Sequence, residues 1–363
     1  MKQKIKLFDP KIDSHEEQAI TNTLKSHFWA SGKGTGEVQK FENKFKDYVN
    51  CKSCIAVNSG TAALHLAFSL IDIRRKEVLL PSLSFVSTAH AVMYNGGIPK
   101  FVDIEEESLC INPELIADQI SKNTCAILPV HFGGMPANMD AISKISKKND
   151  CHIIEDAAHA VGTTYKNKRI GSHSFAVCFS FHPVKNLAMP TGGLIALNGS
   201  DYRNNEKLLK TRRWCGISDR KEFSYNVTEL GWNMYMNEFS ASIGQVQLSK
   251  LDIHNKQRKK IAKTFFREIN LDNKMAFDKN CSYHLYWIRV KHRKQFMKQM
   301  KQFGIETGIH YKPIHEMTYY QNKKNKNLKI TEKISKEIVS IPIHPNLKEN
   351  EIDFIINCIN KIS

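Results

Sequence analysis

The chain has 363 residues and a mass of 41.6 kDa, enough for about two domains at roughly 150 residues each and for a sizeable core. Hydrophobic residues make up 41% and charged residues 25%, which excludes a wholly disordered chain. The formal net charge is +17, and residues 251–363 carry much of it, with 23 Lys and Arg against 11 Asp and Glu.

Such an excess can attract an anionic ligand, a polyphosphate or a nucleic acid. No zinc finger, RNA-recognition signature or basic zipper accompanies it, so the favoured reading is a solvated Lys-rich surface with no nucleic-acid partner. No apolar run approaches the ~18 residues of a membrane helix. The opening MKQKIKLFDPKIDSHEE lacks the apolar stretch of a secretory signal. No membrane partner is expected, and the expected location is cytoplasmic. Nine cysteines are an odd number, and Cys51-x-x-Cys54 has no second pair to complete a zinc ribbon. Reduced thiols and no metal site are expected.

In chain order, Ser14-x-x-Glu17 predicts a capping box that opens a helix. Ser53–Val57 is expected as a strand, with a helix from Thr61 (TAALHLAFSLI). Glu77–Leu80 is a second strand, followed by a helix near 84–93. Residues 100–104, 125–130, 152–155 and 175–181 are further short strands. Buried strands separated by helices predict βα units and a mostly parallel sheet, with ligands at the carboxyl ends of its strands. After a strand at 192–197 the pattern changes. Residues 237–260 predict a long helix, 283–290 and 304–311 strands, and 350–362 a closing helix. A large α/β domain over 1–250 and a smaller α+β domain over 251–363 are expected. The patch QNKKNKNLK at 321–329 is expected to be an exposed loop.

Four features fall at strand ends in the first domain. Asn58-Ser59-Gly60-Thr61-Ala62 joins a strand to a helix, where small residues and a helix N-terminus suit an anion. It lacks the Gly-Lys-Ser/Thr of a Walker loop, and an ordinary N-cap turn is the competing reading. Phe85, after Pro81-Ser82-Leu83-Ser84, offers a flat face for an aromatic cofactor or a side chain for the core. In Ile153-Ile154-Glu155-Asp156-Ala157-Ala158-His159 a carboxylate pair closes an apolar strand. A buried Asp there needs a partner such as a protonated ring nitrogen, unless it caps a helix. In Ser180-Phe181-His182-Pro183-Val184-Lys185-Asn186 a lysine ends a buried strand. Desolvation would lower its pKa and make it a nucleophilic amine; a surface lysine is the alternative. An anion cradle, a stacking ring, an Asp and a Lys, in that order, fit pyridoxal phosphate (PLP).

Motifs along nearly the whole chain resemble the DegT/DnrJ/EryC1/StrS family of sugar aminotransferases. They are Trp29-Ala-Ser-Gly-Lys-Gly34, Val38-Gln-Lys-Phe-Glu42, Ser59-Gly-Thr-Ala-Ala-Leu64, Phe101-Val-Asp-Ile104, Pro129-Val-His-Phe-Gly133, Glu155-Asp-Ala-Ala-His159, Ser180-Phe-His-Pro-Val-Lys-Asn186, Gly231-Trp-Asn233, Ser242-Ile-Gly-Gln-Val-Gln-Leu248, His310-Tyr-Lys-Pro313 and Ile341-Pro-Ile-His-Pro345. The resemblance implies the PLP-transferase fold of type I, with a seven-stranded, mostly parallel sheet flanked by helices. It implies Lys185 as the Schiff-base lysine and proton shuttle, Asp156 against the pyridine nitrogen, and Phe85 on the ring. Gly60, Thr61, Ala62 and Ser180 would hold the phosphate, His159 would lie near the ring's hydroxyl, and Asn233 would come from the second subunit of a homodimer with shared active sites. Trp29, His182, His310 and Tyr311 are implied sugar contacts.

The implied reaction moves an amino group from L-glutamate, by way of pyridoxamine phosphate, to a nucleotide-linked keto-sugar, the loop at Trp29 favouring a 4-keto-6-deoxy sugar. The alternatives are an octulosonate or cyclitol substrate, or a non-catalytic PLP-binding regulator. Two departures stand out. Leu187-Ala-Met-Pro-Thr-Gly-Gly193 replaces the family's Thr-Thr-Gly-Glu-Gly-Gly, and Tyr235 stands where an Arg is common.

Overall fold

The computed structural model describes residues 4–221, 224–321 and 328–362; residues 322–327 of the Lys-rich patch lie outside the described residues. Two helices open the chain, α1 (Ser14–Lys25) and α2 (Glu37–Val49). Strands and helices then alternate: β1 (Ser53–Val57), α3 (Gly60–Phe68), β2 (Glu77–Pro81), α4 (Ser87–Tyr94), β3 (Ile98–Val102), α5 (Pro113–Gln119), β4 (Thr124–Ile127), α6 (Met139–Lys148) and β5 (His152–Asp156). A short ribbon, β6 (Thr164–Tyr165) and β7 (Lys168–Arg169), precedes β8 (Ala176–Ser180) and β9 (Gly193–Leu197). Next come α7 (Tyr202–Arg212), the pair β10 (Ile217–Lys221) and β11 (Ser224–Val227), and the 31-residue α8 (Glu238–Glu268). The chain ends with β12 (Tyr286–Arg289), α9 (Arg293–Gln302), α10 (Lys329–Glu337), β13 (Ile338–Ile341) and α11 (Glu349–Ile362).

Seven strands form one sheet in the order β1-β9-β8-β5-β4-β2-β3. Strand β9 runs antiparallel to both its neighbours, and every other pair is parallel. The sheet is covered on both faces, which is why its strands are nearly continuous apolar runs rather than alternating ones. Side chains still alternate between faces. Val78 and Leu80 pack with Leu64, Phe68 and Phe101 on one side, while Leu79 packs with Ile261, Phe265 and Ile288 on the other. Under β8 and β9 a third cluster joins Val177 and Phe179 to Phe41 and Phe45 of α2 and Leu251 of α8. Helix α8 passes residue 250 without a break, and β12 and β13 pair antiparallel beyond it.

Two expectations are corrected. The first helix is capped by Asp13, not Ser14: the Asp13 side chain accepts from backbone N–H groups while Glu16 accepts from Asp13 N–H at 3.0 Å. A carboxylate one residue earlier closes the same reciprocal box. Residues 304–311 form no strand. Their backbone pairs with neighbours only as single bridges, Ile5 with Ile305 and Gly308 with Ser340, so no ladder forms. Among the described residues no helix is long and apolar enough to cross a membrane.

Candidate active site

The carboxyl ends of β1, β5 and β8 converge on a cavity of about 420 Å³. Gly60, Thr61, Phe85, Asp156, His159, Ser180, His182, Lys185, His310 and Tyr311, all expected from the sequence, line it.

One wall is the start of α3. Ser59 is its N-cap, with Oγ accepting from Ala62 N–H at 3.1 Å. The first-turn N–H groups of Gly60 and Thr61 have no preceding helical turn to bond. A Cβ on Gly60 would sit 2.7 Å from Ser180 Cβ, so only glycine lets the helix end approach the β8 end. Gly193 is held as tightly, since a Cβ there would meet Ser59 O at 2.2 Å. These glycines and Ser180 leave a small-residue cradle that fits a phosphate.

The neighbouring carboxylates of β5 diverge, because successive strand residues face opposite ways. Glu155 turns away from the cavity and is fully buried. It accepts from His131 Nε2 at 2.7 Å, while His131 Nδ1 accepts from Ala137 N–H at 3.1 Å. Asp156 faces the cavity. Its oxygens accept from Thr88 Oγ1 at 2.9 Å and Ala158 N–H at 3.1 Å, and Thr88 is seated against Ser84 at 2.7 Å. Burial nevertheless pushes the Asp156 carboxyl above its usual range, and the lysine charge nearby offsets that only in part. Two neutral donors do not replace a cation, so this carboxylate suits a protonated ring nitrogen.

Lys185 follows β8, and its N–H donates to His182 O at 2.8 Å. Its Nζ lies 3.4 Å from His284 Nε2. Burial lowers its pKa from 10.5 to about 8, against the pull of Asp156. The imidazoles around it are held neutral. Burial drives His159 and His284 well below the usual histidine value and takes His310 to about 4. His159 Nδ1 accepts from Gly133 N–H at 3.2 Å, which leaves Nε2–H to face Tyr311 Oη at 3.0 Å. His310 Nδ1 is 2.8 Å from Ser340 Oγ. The Phe85 ring, 55% exposed, stands 6.1 Å from that of Tyr311, free to cover a flat ligand.

Three expected residues lie outside this chain's cavity. Ala62 gives its N–H to the Ser59 cap. Trp29, half exposed, bonds Leu24 O through Nε1 at 3.2 Å and packs on Phe239. Asn233 is exposed and bridges Trp214. The unusual loop after the lysine is well packed: Leu187 and Met189 join the cluster of Phe41 and Phe181, and Thr191 Oγ1 donates to Asn58 O. Tyr235 bridges Val57 through the backbone.

The sequence reading missed Thr88, His284 and Phe8. Thr88 sits in a predicted helix with nothing to mark it beyond its place four residues after Ser84. His284 falls inside the strand expected at 283–290. It lies just before β12, with its ring stacked on Phe8 at 5.5 Å and its Nδ1 without a hydrogen-bond partner among the described residues. Phe8 comes from a segment with no periodicity at all.

The profile of the DegT/DnrJ/EryC1/StrS aminotransferase family matches residues 10–360. The chain is 33% identical to the spore coat polysaccharide biosynthesis protein SpsC of Bacillus subtilis, over 97% of this chain and 95% of that protein. Its fold matches Helicobacter pylori PseC, an aminotransferase involved in the biosynthesis of pseudoaminic acid, with a TM-score of 0.93, 26% identity and 99% of each chain covered. Streptococcus pneumoniae Spr1654, solved in a PLP-form, shares the fold at a TM-score of 0.93 and 24% identity, over 99% of this chain and 98% of that one.

Proposed function

The chain belongs to the DegT/DnrJ/EryC1/StrS aminotransferase family, and we propose that within it the enzyme moves an amino group from L-glutamate to a nucleotide-linked keto-sugar, with a 4-keto-6-deoxy sugar as the first candidate. It is a PLP-dependent sugar aminotransferase. One observation carries the residue assignment: a buried carboxylate short of a counter-charge and a lysine with a lowered pKa share a cavity with a glycine-lined helix start.

Bound PLP supplies an electron sink that acidifies the carbon beside the amino group. The remaining work falls to the chain. Gly60, Thr61 and Ser180 would hold the phosphate at the start of α3, through N–H groups and a hydroxyl, while Ala62, its N–H given to Ser59, fixes the cap beneath them. Asp156 keeps a proton on the ring nitrogen, since a cation there relieves its buried charge. Phe85 covers the ring and keeps water off it. Lys185 Nζ takes the donor's Cα proton and later gives a proton to the acceptor carbon. A pKa near 8 lets it serve as base and acid at ordinary pH. Neutral His159, fixed by Gly133 and Tyr311, orients the ring's polar edge. His182, His310 and Tyr311 face the sugar. In a homodimer with shared active sites, Asn233 and Trp29, both outside this chain's own cavity, reach the partner's. The basic surface suits a diphosphate-bearing substrate.

The test is the ultraviolet–visible spectrum of the purified chain with PLP, before and after L-glutamate. The expected result is a visible band that glutamate bleaches and that Lys185→Ala never forms. A band indifferent to glutamate overturns the donor assignment. A band still present in Lys185→Ala overturns the lysine assignment.

A further inference from the structure

We propose that Cys51 and Cys54, at the amino end of β1, form a reversible disulfide when the enzyme meets an oxidised small thiol. The two Sγ atoms lie 3.3 Å apart. A disulfide bond is about 2.05 Å long, so closure asks for a movement of roughly 1.3 Å, within reach of side-chain rotation. Both residues are anchored. Cys51 follows Asn50, whose left-handed backbone (φ 57°) ends α2, and its N–H donates to Lys46 O at 3.2 Å. Cys54 is fixed in the ladder opposite Ala196 of β9. The backbone therefore holds the thiols face to face and removes most of the entropy cost of bringing them together.

Their environments differ in the way an attacking and a resolving sulfur should. Cys51 is partly exposed, and the hydrogen bond from Cys54 and the charge of Lys46 lower its pKa. Cys54 is buried, and burial holds its thiol well up. Only a thiolate attacks, so Cys51 reacts first. With glutathione disulfide, the Cys51 thiolate displaces one glutathione thiolate and becomes a mixed disulfide. Cys54 then gives up its proton and attacks Cys51 Sγ, expelling the second glutathione. Two protein S–H bonds are lost and one S–S bond forms; the protein gives two electrons and the glutathione disulfide is reduced to two thiols. Cys215 is exposed, a natural comparison for simple capture of glutathione. The buried Cys110, Cys178 and Cys281, whose thiols burial pushes up, should stay inert.

The experiment treats the holoenzyme with glutathione disulfide, blocks free thiols with N-ethylmaleimide and digests with trypsin. Cleavage at Lys52 separates the two cysteines, so a disulfide is read as a cross-link between the peptides 47–52 and 53–74. The expected result is that cross-link, two hydrogens lighter than the separate peptides together, and its disappearance with dithiothreitol. Cys51→Ser should abolish it and leave Cys54 unmodified; Cys54→Ser should leave Cys51 as a stable glutathione adduct. The proposal is overturned if Cys51 and Cys54 are both alkylated after Cys215 has been converted, or if wild-type Cys51 stops at the glutathione adduct.

Discussion

Buried charge is handled in two opposite ways in this molecule. Under β1, the fully buried Arg213 meets Glu42 and also donates to Ala56 O at 2.8 Å and Lys33 O at 2.9 Å, while Glu42 accepts from Ala56 N–H at 2.8 Å. His131 and Glu155 form a second directly bonded pair, 2.7 Å apart and fully buried. At the cavity, Asp156 is left with neutral donors and Lys185 with neutral imidazoles. The directly bonded pairs hold α2 and β5 in place. Asp156 and Lys185, which make no direct bond to an opposite charge, have displaced pKa values and line a space that a charged ring can enter. Displaced pKa values beside an open cavity mark the chemistry, and buried charge alone does not.

The sharpest break in this comparison is Lys185→Ala. With the proton carrier gone, amino transfer should fall by about 10⁴-fold, the top of the range for a lost general acid–base group. The fold should survive, because a desolvated amine is removed rather than an ion pair broken. Transfer rate and thermal unfolding, measured on the same preparation, check this. A substantial residual rate would place the proton transfer on another group.

Two neighbouring carboxylates give the next largest contrast. Asp156→Asn should lower kcat by about 10²–10⁴-fold, since a neutral amide no longer stabilises a proton on the ring nitrogen. Glu155→Gln retains an acceptor for His131 and should leave kcat within about threefold, because that side chain turns away from the cavity. Equal losses from both would dissolve the distinction between the two positions.

Much of this was legible in the sequence. Strand β1 and the strands ending in Asp156 and Ser180 fall within a residue or so of where apolar runs predict them, since parallel sheets buried on both faces write continuous hydrophobic segments. The order of cradle, ring, Asp and Lys could be read because each follows a strand end. The pairing of Glu155 with His131 could not, because it brings a residue of the loop after β4 against β5, 24 residues along the chain. His284 stayed hidden for the same reason: 99 residues separate it from Lys185, and nothing local marks it. The expected strand at 304–311 failed because apolar content does not supply a partner ladder.

A smaller effect tests the directly bonded side. Glu42→Ala leaves the Arg213 guanidinium buried without its counter-charge and Ala56 N–H without its acceptor. Breaking a buried pair by removing one partner costs about 3–5 kcal/mol. Denaturant unfolding should show that loss, while the rate per folded molecule stays near wild type. A loss under 1 kcal/mol would mean that Lys33 O and Ala56 O alone satisfy the arginine.

The gentlest test leaves the chain unaltered and varies pH. A free amine captures an aldehyde only when neutral, and burial brings the Lys185 pKa from 10.5 to about 8. In chain stripped of cofactor, the rate of lysine-dependent PLP capture should therefore rise about tenfold per unit up to pH ~8 and then level off. An ordinary lysine would keep rising beyond pH 10. The sign for stability runs the same way. Between about 8 and 10.5 the unfolded chain holds this proton and the folded chain does not, so the group's contribution to folding becomes more favourable as pH rises through that window. Asp156→Asn removes the one charge that raises the lysine value, so the plateau should begin at lower pH in that variant. A plateau that does not move would mean that Asp156 and Lys185 do not sense each other across the cavity.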